Sequence, residues 1–176
     1  MKWLENDMIR LRALEPEDLD LLYAWENDTS LWEFGSTLVP YSRYVLKAYL
    51  EHADADIYAQ KQLRLMIVLK ASGETVGTVD LFDFDPRHRR AGVGILVDPA
   101  HQRKGIGKEA LSLLTAYAFG LLNIHQLYVF VPVSNEPSRN LFLDSGFTSC
   151  GILKDWLHTN HGFADAYFMT LLNKKA

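Results

Sequence analysis

Apolar and polar residues alternate through MIRLRAL (Met8 to Leu14), the period of a strand with one buried face. Pro16 then suits a first helical turn, with Glu17 and Asp18 beside the positive end of the helix dipole. That helix runs through LDLLYAWEN and stops near Asn27 and Asp28. A second helix, RYVLKAYLEHA, follows Pro40, with Ser42 placed to cap it. LRLMIVLK (Leu63 to Lys70) reads as a buried strand, ASGE as a turn, and Thr75 to Phe84 as the hairpin partner. Ala91 to Pro99 is another strand, ended or set at a margin by its proline. A helix from Gly105 to about Leu122 follows, then a strand from Gln126 to Val133. A short helix from Asn135 closes at Gly146, and FTSCGILKDWL and ADAYFMTLL make two last strands. The order β-α-α-β-β-β-α-β-α-β-β, with no repeat, low-complexity tract or linker, describes one mixed α/β domain over residues 1–176.

Composition narrows the function classes. With 48% hydrophobic residues in 176, the chain can build a sizeable core. A net charge of -4 argues against a nucleic-acid binder, the basic run RHRR notwithstanding. No apolar run approaches the roughly 20 residues that span a bilayer, and MKWLENDMIRLR lacks the features of a signal peptide, so a cytoplasmic protein is expected. Cys150 is the single cysteine, which leaves no intrachain disulfide and no thiolate metal cluster. Its apolar neighbours read it as a small core residue.

The segment VDPAHQRKGIGKEA brings chemistry. Glycine costs about 1 kcal/mol relative to alanine inside a helix, so two glycines at a helix start need a reason. A helix start leaves backbone N–H groups unpaired and carries positive potential. Gly105 and Gly107 let a bulky anion approach that backbone, and Arg103, Lys104 and Lys108 add charge. The pattern is a pyrophosphate cradle. It is not a P-loop, because Glu109 follows Lys108 where Ser or Thr must reach magnesium. A Rossmann fingerprint also fails: the loop lies late in the chain, and no acidic residue about 20 positions on presents itself for a ribose.

QRKGIG (Gln102 to Gly107) matches the Q/R-x-x-G-x-G/A signature of the GNAT superfamily of N-acetyltransferases. The block from Val76 to Leu111 resembles the centre of bacterial spermidine acetyltransferases and ribosomal-protein N-terminal acetyltransferases. The flanking blocks LRALEPEDLDLLYAWENDTS and YAFGLLNIHQLYVFVPVSNEPSRNLFLDSGF resemble theirs in the same order. The resemblance implies a central twisted mixed sheet of six to seven strands flanked by about four helices. It implies acetyl-CoA as co-substrate, bound through Gln102, Arg103, Lys104, Gly105, Ile106, Gly107 and Lys108. Main-chain groups of Ile95, Leu96 and Val97 would line the pantetheine, with the Val97 N–H polarising the thioester carbonyl. Asn135 falls where the family contacts the arm, or caps a helix, and Ser138 and Asn140 share that helix.

Three positions depart from the family pattern. Phe142 replaces the tyrosine that usually serves as acid near the sulfur, leaving Tyr128 among other donors. Gly92 stands where relatives carry glutamate, so Asp80, Asp83, Asp85 and His88 become the nearby candidates for base or acceptor binding. Alternation would put Asp80 with Thr78 and Phe82, and Asp83 with Val79 and Leu81. In place of paired acids between the first two helices stands WEFGSTLVPYS, offering Glu33 and Phe34 and a more apolar acceptor pocket. The function implied is acetyl transfer to an amine (a polyamine-like small amine or a peptide N-terminus) by direct attack in a ternary complex. A catalytically silent acyl-CoA-binding module is the alternative. No metal is expected, and the closing hairpin allows a homo-oligomer.

Overall fold

The computed structural model describes residues 3–32, 39–52, 56–159 and 161–174. Seven strands form one sheet: β1 (Ile9–Arg12), β2 (Leu63–Leu69), β3 (Thr75–Asp85), β4 (Arg90–Val97), β5 (Gln126–Pro132), β6 (Thr148–Thr159) and β7 (Gly162–Leu172). Their spatial order is β1-β2-β3-β4-β5-β7-β6. Every neighbouring pair is antiparallel except β4–β5, whose parallel pairing requires a helical crossover.

Four helices fall where the periodicity placed them: α1 (Leu19–Glu26), α3 (Arg43–Glu51), α5 (Ile106–Gly120) and α6 (Glu136–Asp144). The Ser42 side chain accepts the Val45 N–H at 3.2 Å, capping α3 as expected. Two single turns, α2 (Thr29–Trp32) and α4 (Ile57–Gln60), were not expected. Four residues are too few to show a helical period, and only the capping Asp56, which accepts from Tyr58 and Ala59, signals α4.

Two apolar clusters hold the layers together. On one sheet face, Leu111 and Leu114 of α5 and Phe142 of α6 pack on Val79, Leu81, Val93, Leu127 and Val129. On the other, Leu22 and Trp25 of α1 and Leu46 of α3 pack on Met66, with Leu96 beside them. The helix-bearing half of this second face lies over β2 to β4.

Cys150 is not in the core. It is exposed, with Sγ 3.2 Å from Thr170 Oγ1, in a register shift between Ser149 and Gly151 on the edge strand β6. Its apolar neighbours misled because the bulge and the edge position take the side chain out of the packed layers.

Asp18 has a stronger role than a dipole partner. It is buried, and Arg12 grips both its oxygens at 2.6 and 2.8 Å while the Glu15 N–H donates at 2.9 Å. Burial alone would raise its pKa, but the Arg12 and Glu15 hydrogen bonds outweigh it and hold the carboxyl below its ordinary value. A depressed carboxylate contributes stability above its unfolded value near 3.9 and loses it as pH falls through the folded one. Asp18→Asn is therefore expected to lower Tm at pH 7, with the gap to wild type closing below about pH 4. A gap of constant size in Tm from pH 7 to 2 would contradict this.

Candidate active site

The parallel pair β4–β5 does not run the length of its strands. It joins Arg90–Gln126, Ala91–Leu127 and Gly92–Tyr128 only. Past Gly92, β4 keeps β3 as far as Val97, while β5 keeps β7 as far as Pro132. The strands splay, opening a slot toward their C-terminal ends.

Backbone alternation decides what β4 offers to the slot. The Asp98 N–H bonds Val76 O at 2.8 Å, and the Leu96 carbonyl crowds Gly77 on β3. Successive residues turn their N–H and C=O to opposite strand edges. Val93, Ile95 and Val97 therefore present theirs to the slot, and the Val97 carbonyl is reached there by the Gln102 side chain at 3.0 Å. Leu96 is different from its neighbours: its backbone faces β3, and its side chain joins the α1–α3 cluster.

The slot opens onto the start of α5. Asp98 begins a single 3-10 turn, accepting the Ala100 N–H at 2.9 Å, and the Trp25 indole clamps its other oxygen at 3.1 Å. Lys104 Nζ donates to Ala100 O at 3.0 Å, so this side chain tightens the loop. Gly105, at φ 80, is the N-cap of α5 and supplies no side-chain cap. Nothing lies within 4 Å of where its Cβ would be. The 15-residue helix thus starts without a side-chain cap and with no crowding at Gly105, as the approach of an anion to its first N–H groups requires. Gly107 answers to packing: a Cβ there would lie 3.2 Å from Leu141 and 3.7 Å from Ile95.

On the α1–α3 face, the floor beside the slot consists of Gly92 and Gly94. The Phe82 ring occupies the space a Gly92 side chain would need, which explains why no glutamate stands there. A Cβ on Gly94 would lie 3.4 Å from Asp80 Oδ2. Asp80 is paired across the register with Arg64, Nε to Oδ1 at 2.6 Å, and the same guanidinium holds Glu26 at 2.7 Å. Burial pushes the Asp80 carboxyl up, with Arg64 opposing. Burial likewise raises the pKa of Tyr49, whose ring lies 5.9 Å from the Arg64 guanidinium. The Tyr128 hydroxyl is kept proton-bearing by burial and by the charge of Asp83.

The remaining expected residues scatter. Asp83 leaves the alternation, with φ 49 in a register shift after Phe82, and is exposed. Strict alternation would have driven its charge into the core beside Val79 and Leu81; the bulge turns it out and Phe84 takes the core position. His88 sits past the closed end of the slot, donating its N–H to Asp85 at 3.0 Å with Nδ1 2.7 Å from the other oxygen. Those bonds hold Asp85 down at about 2. Asn135 caps α6, accepting from Ser138 at 3.1 Å, and Asn140 is exposed. Phe142 is 2% exposed and meets Phe147 edge-on, so this ring is core packing. Glu33 and Phe34 lie outside the described residues.

Sequence reading missed Arg64, Tyr49, the Trp25 clamp and an aromatic band (Phe82, Tyr128, Phe130, Phe168 and Trp156). The pairing of Arg64 with Asp80 had one signal, two charges at facing positions of adjacent apolar strands. The band had none, because its members come from four strands.

A parallel strand pair splayed before a glycine-led helix start is the geometry of an acyl-CoA transferase. The Acetyltransferase (GNAT) domain model matches residues 9–148, and the chain belongs to this family. It is 31% identical over 163 residues to the spermidine N(1)-acetyltransferase of Escherichia coli K12, covering 93% of this chain and 85% of that one. A Vibrio cholerae spermidine N-acetyltransferase, solved in complex with CoA and spermine, superposes with a TM-score of 0.85 at 28% identity, covering 97% and 98% of the two chains. A dodecameric structure of the Vibrio cholerae enzyme gives 0.81 at 29% identity, covering 97% of this chain and 96% of that one. The protein is an acetyl-CoA-dependent N-acetyltransferase with the GNAT fold, acting on an amine. The silent-module alternative is not favoured. Among the described residues no group of His, Cys, Asp or Glu could hold a metal ion, and no helix is long and apolar enough to cross a membrane.

Proposed function

We propose that the slot between β4 and β5 is the site of direct acetyl transfer to a small primary amine. The observation that carries this is the splay itself, with the Val97, Ile95 and Val93 backbone groups turned into it. In this reading the pyrophosphate rests on the backbone from Gln102 to Lys108, with Arg103 and Lys108 adding charge. A slot-facing N–H, that of Val97 or Ile95, donates to the thioester oxygen as it becomes an oxyanion. Asn135, Ser138 and Asn140 border the arm at the start of α6.

The attacking amine must be neutral. For an alkylamine of pKa near 10.4 this costs roughly 4–5 kcal/mol at pH 7, and only about 1 kcal/mol for an α-amino group. Asp80, fixed by Arg64 beside Gly94, is the group placed to receive the amine. Tyr128 is a proton-bearing hydroxyl on that face that could serve the departing thiolate, a role Phe142 lacks the chemistry to fill. Loss of a general acid is typically worth ~10²–10⁴-fold, so turnover survives the phenylalanine.

The continuous sheet from Ile9 to Leu172 supports a single domain. The outer edge of β6 supports a homo-oligomer, as in the dodecameric Vibrio relative, and the relatives support a cytoplasmic setting. The test is CoA release from acetyl-CoA with a panel of amines across pH 6–9. Turnover rising with pH toward the amine pKa is expected. Acetyl-CoA binding without acceptor-dependent release would overturn it.

A further inference from the structure

The connection from β4 to α5 carries a carboxylate beside a loop suited to an anion. Asp98 follows β4 directly and precedes the stretch from Gln102 to Lys108. Through space its negative charge opposes a pyrophosphate, so its presence there calls for a structural reason. Each of its oxygens has a separate partner. Oδ1 accepts the Ala100 N–H at 2.9 Å, and Oδ2 accepts the Trp25 indole N–H at 3.1 Å. The Ala100 N–H above all holds this carboxyl below its ordinary value; partial burial opposes it, and the indole adds to the lowering. Asp98 is therefore ionised throughout pH 6–9, and both bonds are charge-assisted.

The rest of the turn closes on the same point. The Asp98 N–H bonds Val76 O at 2.8 Å, and the His101 N–H returns to the Asp98 carbonyl at 2.8 Å. The Ala100 carbonyl takes Lys104 Nζ at 3.0 Å, and the Val97 carbonyl takes Gln102 Nε2 at 3.0 Å. Among the described residues, two side chains from elsewhere make polar contacts with this turn. Glu74 stands 3.4 Å from His101 Nε2 but is more than half exposed, so that contact holds little. Trp25 is buried, packed with Leu22, Leu46 and Met66 between the sheet and α1 and α3. The next residue, Glu26, bonds Arg64 at 2.7 Å, and Arg64 bonds Asp80 at 2.6 Å. The end of α1 thus meets the coenzyme loop through Trp25 and the Asp80 group through Glu26.

Resting on the acetyltransferase reading of the slot, we infer that Asp98 and Trp25 are positioning residues for acetyl-CoA. The indole, bonded to the carboxylate, holds the turn in register with α1, so the backbone from Gln102 to Lys108 is set before the coenzyme arrives. A loop already in place spares the ordering that a loose one must undergo on binding.

The test separates this bond from the turn it joins. Asp98→Asn keeps the turn, because an asparagine oxygen accepts the Ala100 N–H as an aspartate oxygen does, but sets an amide N–H against the indole N–H. Trp25→Phe removes the same bond from the other side. Each variant is expected to weaken CoA binding by calorimetry, and to raise the KM for acetyl-CoA, about fivefold. The kcat at saturating acetyl-CoA and the KM for the fastest amine of the panel should stay within about twofold. The double variant is expected to match the singles at about fivefold, where independent effects would multiply to about 25-fold. Trp25→Phe also thins the α1–α3 cluster and should lower Tm in both backgrounds; Asp98→Asn lies outside the core clusters and carries the test if Trp25→Phe fails to fold. CoA affinity unchanged in Asp98→Asn, or tightened as loss of a through-space repulsion would have it, overturns the inference and leaves the cradle standing. Multiplying effects in the double variant overturn the link between the two residues. Unchanged CoA affinity in Gly105→Val as well overturns the cradle itself.

Discussion

Arg64→Met is expected to lower stability by about 3 kcal/mol at pH 7, because it strands the Asp80 carboxylate and takes one partner from Glu26. The estimate takes the low end of the range for breaking a buried pair, since all three side chains keep some contact with solvent. In a domain of this size that corresponds to a fall in Tm of roughly 6–12 °C. Burial favours the neutral form of Asp80, and without Arg64 nothing opposes it. A carboxyl whose folded pKa is raised contributes stability below its unfolded value and loses it as pH rises through the folded one. The variant should therefore lose more at pH 8 than at pH 5, and Arg64→Met with Asp80→Asn should recover part of the loss. Acceptor kcat/KM should fall while KM for acetyl-CoA stays within about twofold. Thermal melts at the two pH values check the first claim, and steady-state kinetics the second. A pH-independent loss would place the guanidinium's contribution in packing on Tyr49 instead.

Gly105→Val is expected to raise the KM for acetyl-CoA by roughly tenfold or more. At φ 80 the residue sits where a β-branched side chain is strained, and its side chain would fill space that is open at the start of α5. A tenfold change is 1.4 kcal/mol, within reach of a helix start that loses contact with a doubly charged pyrophosphate. Gly105→Ala should show a smaller effect in the same direction. Titration with CoA by calorimetry separates affinity from turnover. Unchanged CoA affinity in Gly105→Val, in a protein that still melts cooperatively, would remove the cradle from this helix start.

Much of the fold was legible in the sequence. Strand and helix periods placed all seven strands and the four longer helices, and Ser42 and Pro16 marked two starts. The glycine-led start of α5 was equally legible, because it is a local device whose residues are neighbours in sequence. The acceptor side was not. Asp80 was visible as a charge within an apolar strand, but its partner lies 16 residues earlier on β2 and the second carboxylate 38 before that. Phe142 sits at the position expected to face the sulfur, yet its environment is the core. No local pattern distinguishes a ring that lines a slot from one that packs on Phe147.

By itself, the sequence determined the element order, the superfamily and the glycine-led turn before α5, all consequences of short-range preferences of the backbone. Tertiary structure alone decided that β4 and β5 part after Gly92, which backbone groups of β4 meet the slot, and that rings from β3, β5, β6 and β7 meet on one side of the sheet. Those outcomes depend on strand register and on a one-residue bulge at Asp83. A single-residue shift there reverses which side of the sheet each chain position faces, and the sequence carries no local record of it.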